Sequence, residues 1–221
     1  MRARSTLFGL ALGFLTCGFG IGHQVDLSVD RVAEQTDAHY NNLKSLRAHF
    51  TETYRGAGVT RTESGTLWLR RPGKMRWEYT DPKEKLFVSD GKTAYFYIPG
   101  ERQARKAPIK DLDDLRSPLR YLLGKTKLKK EFENLTVRAG DQPGTVLIRG
   151  IPSGMADRVT EMTLELDPKG QIRRILIEEA DGSQTEFVFT AVEENVALED
   201  ALFRFQPPPG VELIESASVT P

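Results

Sequence analysis

From Thr60 onward, side-chain character repeats every second residue. Leu67 and Leu69 alternate with Trp68 and Arg70, and Met75, Trp77 and Tyr79 alternate with Arg76 and Glu78. A period of two is what a pleated strand presents to its two faces. Further strands are expected over 84–89, 92–98, 135–139, 144–150, 158–167, 171–180 and 184–194. Asp90-Gly91, Asp167-Pro168-Lys169-Gly170 and Asp181-Gly182 supply hairpin turns between them. Short turns between sequential strands make an antiparallel meander. A long meander curls into a barrel or half-barrel to hide its apolar face and its edges.

Two stretches follow a different period. Val29, Val32, Thr36, Tyr40, Leu43, Leu46 and Phe50 recur at three- and four-residue steps, which predicts a helix over 29–50 capped by Ser28 or Asp30. Leu112, Leu115, Leu119 and Leu122 predict a second, over 111–123, with Pro118 inside it and Gly124 as its stop. An amphipathic insertion between strands is well placed to close the mouth of a barrel. A helical turn is also expected at Glu199–Leu202, before the extended run Pro207–Gly210.

The N-terminus reads as a secretory leader over residues 1–22: Arg2 and Arg4, an apolar run from Leu7 to Leu15, then small residues. That run is too short to span a bilayer. The remaining residues, 23–221, are expected to form one exported domain. Lys+Arg and Asp+Glu both number 31, and loss of Arg2 and Arg4 leaves 29 against 31. No strong field points to nucleic acid. Cys17, the only cysteine, closes the apolar run and is expected to leave with the leader. The alternative is a lipid-modified anchor, but Phe14 and Thr16 match such a site poorly.

Catalytic chemistry is missing from the pattern. His23, His39 and His49 precede the sheet and are too far apart to share a metal, so no cofactor or metal is expected. Glu178-Glu179, Glu193-Glu194 and Asp113-Asp114 are acidic neighbours, and neighbours on a strand face opposite sides, so they read as solvated surface and not as a converging acid–base pair. Lys125, Lys127, Lys129 and Lys130 read as a solvated cluster, or else as a docking patch for an acidic partner. An enzyme is not expected.

The stretch Gly65–Gln103 resembles the LolA family, the outer-membrane lipoprotein carriers. The resemblance rests on Gly65, Leu67-Trp68, Arg70-Arg71-Pro72, Trp77, Val88-Ser89-Asp90-Gly91-Lys92-Thr93, Phe96-Tyr97-Ile98-Pro99 and Gln103. Phe50-Thr51, Ser117-Pro118 and the closing Phe203-x-Phe-x-Pro-Pro-x-Gly-Val also fit, so it spans most of residues 28 to 213.

That resemblance implies a mainly β fold with an α lid: an unclosed antiparallel β-barrel covered by helices that enclose a hydrophobic cavity. It implies a monomeric periplasmic carrier whose cargo is acylated lipoproteins. These come from an inner-membrane ABC transporter complex and go to an outer-membrane receptor. It further implies that Arg71 locks the lid, formed by 111–123 and part of 29–50, through hydrogen bonds to lid carbonyls. Candidate cavity positions are Trp68, Met75, Trp77, Phe87, Phe96, Leu115, Leu119, Phe187 and Phe189, each of which could equally be packed core. The competing readings are a lipid-anchored acceptor of the same fold and a periplasmic regulator that senses lipoproteins.

Overall fold

A computed structural model of the chain describes residues 28–109 and 127–216. The expected leader with Cys17, and the Leu-rich helix with Leu115 and Leu119, lie outside those residues. In order, the elements are α1 (Val29–Asn42), β1 (Ser45–Gly56), β2 (Val59–Arg70), β3 (Lys74–Asp81), β4 (Lys85–Asp90), β5 (Thr93–Tyr97) and β6 (Gln103–Pro108). A short helix α2 (Leu128–Glu131) then leads into β7 (Phe132–Ala139), β8 (Val146–Pro152), β9 (Val159–Leu166), β10 (Ile172–Glu179) and β11 (Gln184–Glu194). A 3-10 turn (Asp200–Phe203) precedes β12 (Glu212–Glu215).

All twelve strands join one sheet in the order β12-β6-β5-β4-β3-β2-β1-β11-β10-β9-β8-β7, with β12 parallel to β6 and the other pairs antiparallel. The ends of this order do not pair, so the barrel is unclosed. Its curvature can be read from side chains. Trp77 on β3 and Phe187 on β11 stand three strands apart, about 14 Å on a flat sheet, yet their ring centroids lie 5.9 Å apart. The sheet must therefore wrap around them.

Gly65 makes part of that wrap possible. A Cβ there would lie 1.9 Å from the Glu78 carbonyl oxygen. Gly65 pairs with Phe50 on β1 and Tyr79 on β3, so these two rings meet over the gap it leaves, 4.8 Å apart.

One expectation needs correction. The first helix ends at Asn42, and the chain turns at Leu43 to enter β1. Leu43, Leu46 and Phe50 fit helical spacing, but Leu46, Ala48 and Phe50 are also every second residue, and all three are buried on one face of β1. Pairing with both β2 and β11 satisfies the backbone of residues 45–56 as a central strand. That outweighs local helix preference, already weakened by Asn41-Asn42. Strands β6 and β12 carry weak sequence signals, since Gln103–Pro108 is largely charged or small and Glu212–Glu215 is short. The expected turn near Glu199–Leu202 is present at Asp200–Phe203.

Candidate functional site

Inward-facing side chains give the concave face an apolar lining. Phe50, Met75, Trp77, Phe87, Phe96, Phe187 and Phe189 all belong to one buried cluster with Leu46, Leu67 and Leu69. Aromatic rings cross strand boundaries at its centre. Phe50 meets Trp77 edge-on at 4.6 Å, Trp77 meets Phe189 at 6.4 Å, and Phe187 stacks parallel to Phe189 at 6.5 Å. Arg105 lies over the Phe96 ring at 5.8 Å, marking a polar border near β6.

Of the candidate cavity positions described, Met75, Trp77, Phe87, Phe96, Phe187 and Phe189 are thus brought together. Trp68 is not. It is half-buried on the opposite, convex face, in register with Arg47 on β1 and Arg76 on β3. Alternation separates Trp68 from Leu67 and Leu69 but does not state which set curls inward, so the sequence alone placed it with the others. The convex side has its own cover. Phe203 is buried there under the Arg70 guanidinium, 5.2 Å from its ring, and Arg70 and Lys74 both bond Asp200.

Helix α1 packs onto the concave face, burying Val32, Ala33, Thr36 and Tyr40, the first two and Tyr40 within the same apolar cluster. Ser28 caps its start, Asp30 pairs with Lys129 at 2.5 Å, and Asp37 accepts the Leu128 N–H at 3.1 Å, which ties it to α2. Lys129 of the basic run is therefore engaged within the fold. Toward the other end, His39 contacts Glu194 at 2.7 Å, and the Tyr40 hydroxyl accepts the Ile172 N–H at 2.8 Å. Burial pushes the Tyr40 phenol well above its ordinary value.

The last turn of α1 presents bare carbonyls, as every helix end does. Arg71 takes two of them: Nη1 donates to the Asn41 carbonyl and Nη2 to the Tyr40 carbonyl, each at 2.6 Å. Its backbone N–H donates to the Lys44 carbonyl at 3.0 Å. A planar cationic fork at the negative end of the helix is well suited to this position. The Val88–Thr93 motif supports it from below. The Ser89 hydroxyl donates to the Gly73 carbonyl at 3.0 Å, and Asp90 Oδ1 accepts the Lys92 and Thr93 N–H groups at 2.8 Å. Gly91, with φ of 96°, sits so close that a Cβ would meet the Pro72 oxygen at 3.0 Å. The motif thus builds one turn that buttresses another, the Arg71-bearing turn. A surface groove of about 650 Å³ lies beside Arg71, lined by Asn41, Lys44, Arg70, Asn195 and Leu198 among others.

At the end of the concave face away from Arg71 the lining becomes polar, which sequence reasoning missed. Glu52 and Glu63 face each other across β1 and β2. Glu63 is buried and held by Lys85 at 2.5 Å and Arg61 at 3.4 Å. Tyr79 donates to Glu52 at 2.7 Å. Burial raises the Glu52 carboxyl above its ordinary value, against the Tyr79 hydrogen bond and with the Glu63 charge adding to the rise. The signal was present as two glutamates on inward positions of neighbouring strands, but their register depends on the turn.

The histidines fall apart in space: His39 is on α1, while His49, expected on the same helix, lies on β1, 3.3 Å from the Thr66 hydroxyl. Among the described residues no three His, Cys, Asp or Glu side chains group as a metal site. The acidic neighbours sit in ion pairs and hydrogen bonds instead, Glu193 with Arg47 and Glu178 with Gln184.

The family model of the outer membrane lipoprotein carrier protein LolA matches residues 41–206, three quarters of the chain. The chain belongs to this family. The outer-membrane lipoprotein carrier protein of Nitrosospira multiformis is 30% identical over 177 residues, covering 78% of this chain and 83% of that one. Its counterpart from Chromobacterium violaceum is 31% identical over 185 residues, covering 81% and 85%. Among solved structures, MucB shares the fold with a TM-score of 0.50 at 16% identity, covering 80% of this chain and 62% of that one.

Proposed function

We propose that this protein is a periplasmic carrier that shields the acyl chains of lipoproteins on its concave face. The apolar lining under α1, with the Arg71 fork on the helix carbonyls, is the observation that carries this reading. Each buried methylene is worth ~0.8 kcal/mol, so exposing one acyl chain of roughly fifteen carbons costs about 12 kcal/mol. A carrier has to offer comparable apolar surface in a form that water does not flood when cargo is absent. Here the lining residues pack on one another and beneath α1, so cargo reaches them only when the cover moves. Arg71 is the lock: its two hydrogen bonds hold α1 down in the empty state and are broken on loading.

In this scheme the leader 1–22 is removed, and the remaining domain receives acylated lipoproteins from an inner-membrane ABC transporter complex. It passes them to an outer-membrane receptor, acts as a monomer and performs no catalysis. Relatives described as outer-membrane lipoprotein carriers support this role. Native mass spectrometry of the protein recovered from the periplasm of its own host tests it. A one-to-one complex with acylated lipoproteins is expected. A protein carrying a lipid on Cys17 and partitioning with membranes would replace the soluble carrier with an anchored acceptor.

A further inference from the structure

Trp77 stands at the centre of the concave face, 1% exposed, ringed by Phe50, Tyr79, Phe187 and Phe189 with centroids 4.6 to 6.5 Å away. Its indole Nε1 is buried and has no hydrogen-bond partner. Buried indole N–H groups ordinarily find an acceptor, and leaving one unpaired is costly. The edge-on Phe50 ring offers at most a weak one. Glu131 and Arg149, which also bury a polar atom without a partner, each bond through another atom of the same side chain: Glu131 Oε1 accepts the Lys127 N–H, and Arg149 Nη2 donates to Glu161. Trp77 has no second polar atom. Its neighbour two residues along β3, Tyr79, is committed to Glu52.

We propose that the Trp77 indole N–H is the donor that recognises an acyl carbonyl, ester or amide, of the ligand held on this face. The inference rests on the acyl-binding reading above and gives it a direction. Toward Arg71 the lining presents Leu46, Leu69 and Met75, so the hydrocarbon runs that way. Past Trp77, Tyr79, Glu52, Glu63 and Lys85 make the opposite end polar, so the head of the ligand leaves there. The carbonyl marks the junction between the two, which is where the unpaired Trp77 N–H sits. Selectivity follows: a hydrocarbon of equal length without a carbonyl leaves the donor unpaired and binds more weakly.

The test uses protein from periplasmic expression of the full chain, labelled at the indole nitrogens. Only Trp68 and Trp77 contribute indole resonances, and Trp68→Phe assigns them. Three synthetic lipopeptides serve as probes: one with ester and amide acyl links, one with ethers in place of the esters, and one with no acyl carbonyl. The Trp77 N–H resonance is expected to move downfield with the first probe and to stay with the third. The second probe then separates ester from amide. Trp77→Phe, which keeps an aromatic ring and removes the donor, is expected to weaken the first probe about fivefold, the size of one net hydrogen bond, and to leave the third unchanged. An identical resonance shift with the third probe, or equal weakening of both by Trp77→Phe, overturns the inference while leaving acyl binding intact. Failure of the wild type to bind any of the three overturns the acyl-binding reading itself, and the inference with it.

Discussion

Replacing Arg71 with leucine removes both side-chain hydrogen bonds to the end of α1 and leaves the backbone bond to Lys44 in place. Hydrogen bonds to a charged group contribute about 1.5–3 kcal/mol each. This guanidinium is half-exposed, so screening brings each nearer ~1 kcal/mol. Together they favour the closed seat of α1 by about 2 kcal/mol, a factor of roughly 30 in the open-to-closed equilibrium. In the proposed scheme cargo competes with that closure, so the variant is expected to bind acylated lipopeptide at least as tightly as wild type. Its release to acceptor vesicles or to a receptor is expected to be slower by up to about 30-fold. Stopped-flow transfer of a fluorescent triacylated lipopeptide measures the rate, and hydrogen exchange in the empty protein reports whether protection of residues 40–43 falls. Arg71→Lys, with one compact ammonium in place of a fork, should be intermediate. Equal transfer rates for wild type and Arg71→Leu, with unchanged protection at the end of α1, would refute the lock.

Two further outcomes follow from the concave face. Glu52→Gln tests the buried carboxyl: its pKa is raised in the folded state, so ionisation opposes folding, and stability is full below the unfolded carboxylate range and lost as pH rises through the raised value. The variant should melt with wild type near pH 4 and a few degrees above it at pH 8, and a gap that closes as pH rises would contradict the assignment. Gly65→Ala drives a methyl into the Glu78 carbonyl. It should cost at least ~3 kcal/mol, roughly 6 °C or more in melting temperature, and a loss within about 2 °C would show that β2 and β3 can part without strain.

Much of the fold was legible because β-structure announces itself locally. Period-two alternation and Asp-Gly turns located strands β2–β5 and β8–β11 to within a residue or two. What alternation cannot carry is which side of a curled sheet is inside, and here it grouped Trp68 with Trp77 although they face opposite ways. The first helix overran for a related reason: a short stretch such as Leu43 to Phe50 satisfies both periods, and only pairing with β11, nearly 140 residues away in sequence, selects the strand. The polar end of the face was hidden for the same cause, since Glu52, Glu63, Tyr79 and Lys85 lie on four different strands.

By itself the sequence determined the strand and turn inventory, the amphipathic first helix and, through the Arg-Arg-Pro and Val-Ser-Asp-Gly-Lys-Thr motifs, the LolA family. These depend on each residue and its near neighbours. Tertiary structure alone decided that Arg71 grips the Tyr40 and Asn41 carbonyls, that β1 is a strand paired on both sides, and that Trp77 is buried with its N–H unpaired. Each of these is a meeting of surfaces that are distant in the chain. Whether a side chain is lining, lock or outer cover is set by how the sheet curls beneath α1, a balance of long-range burial that no local pattern encodes.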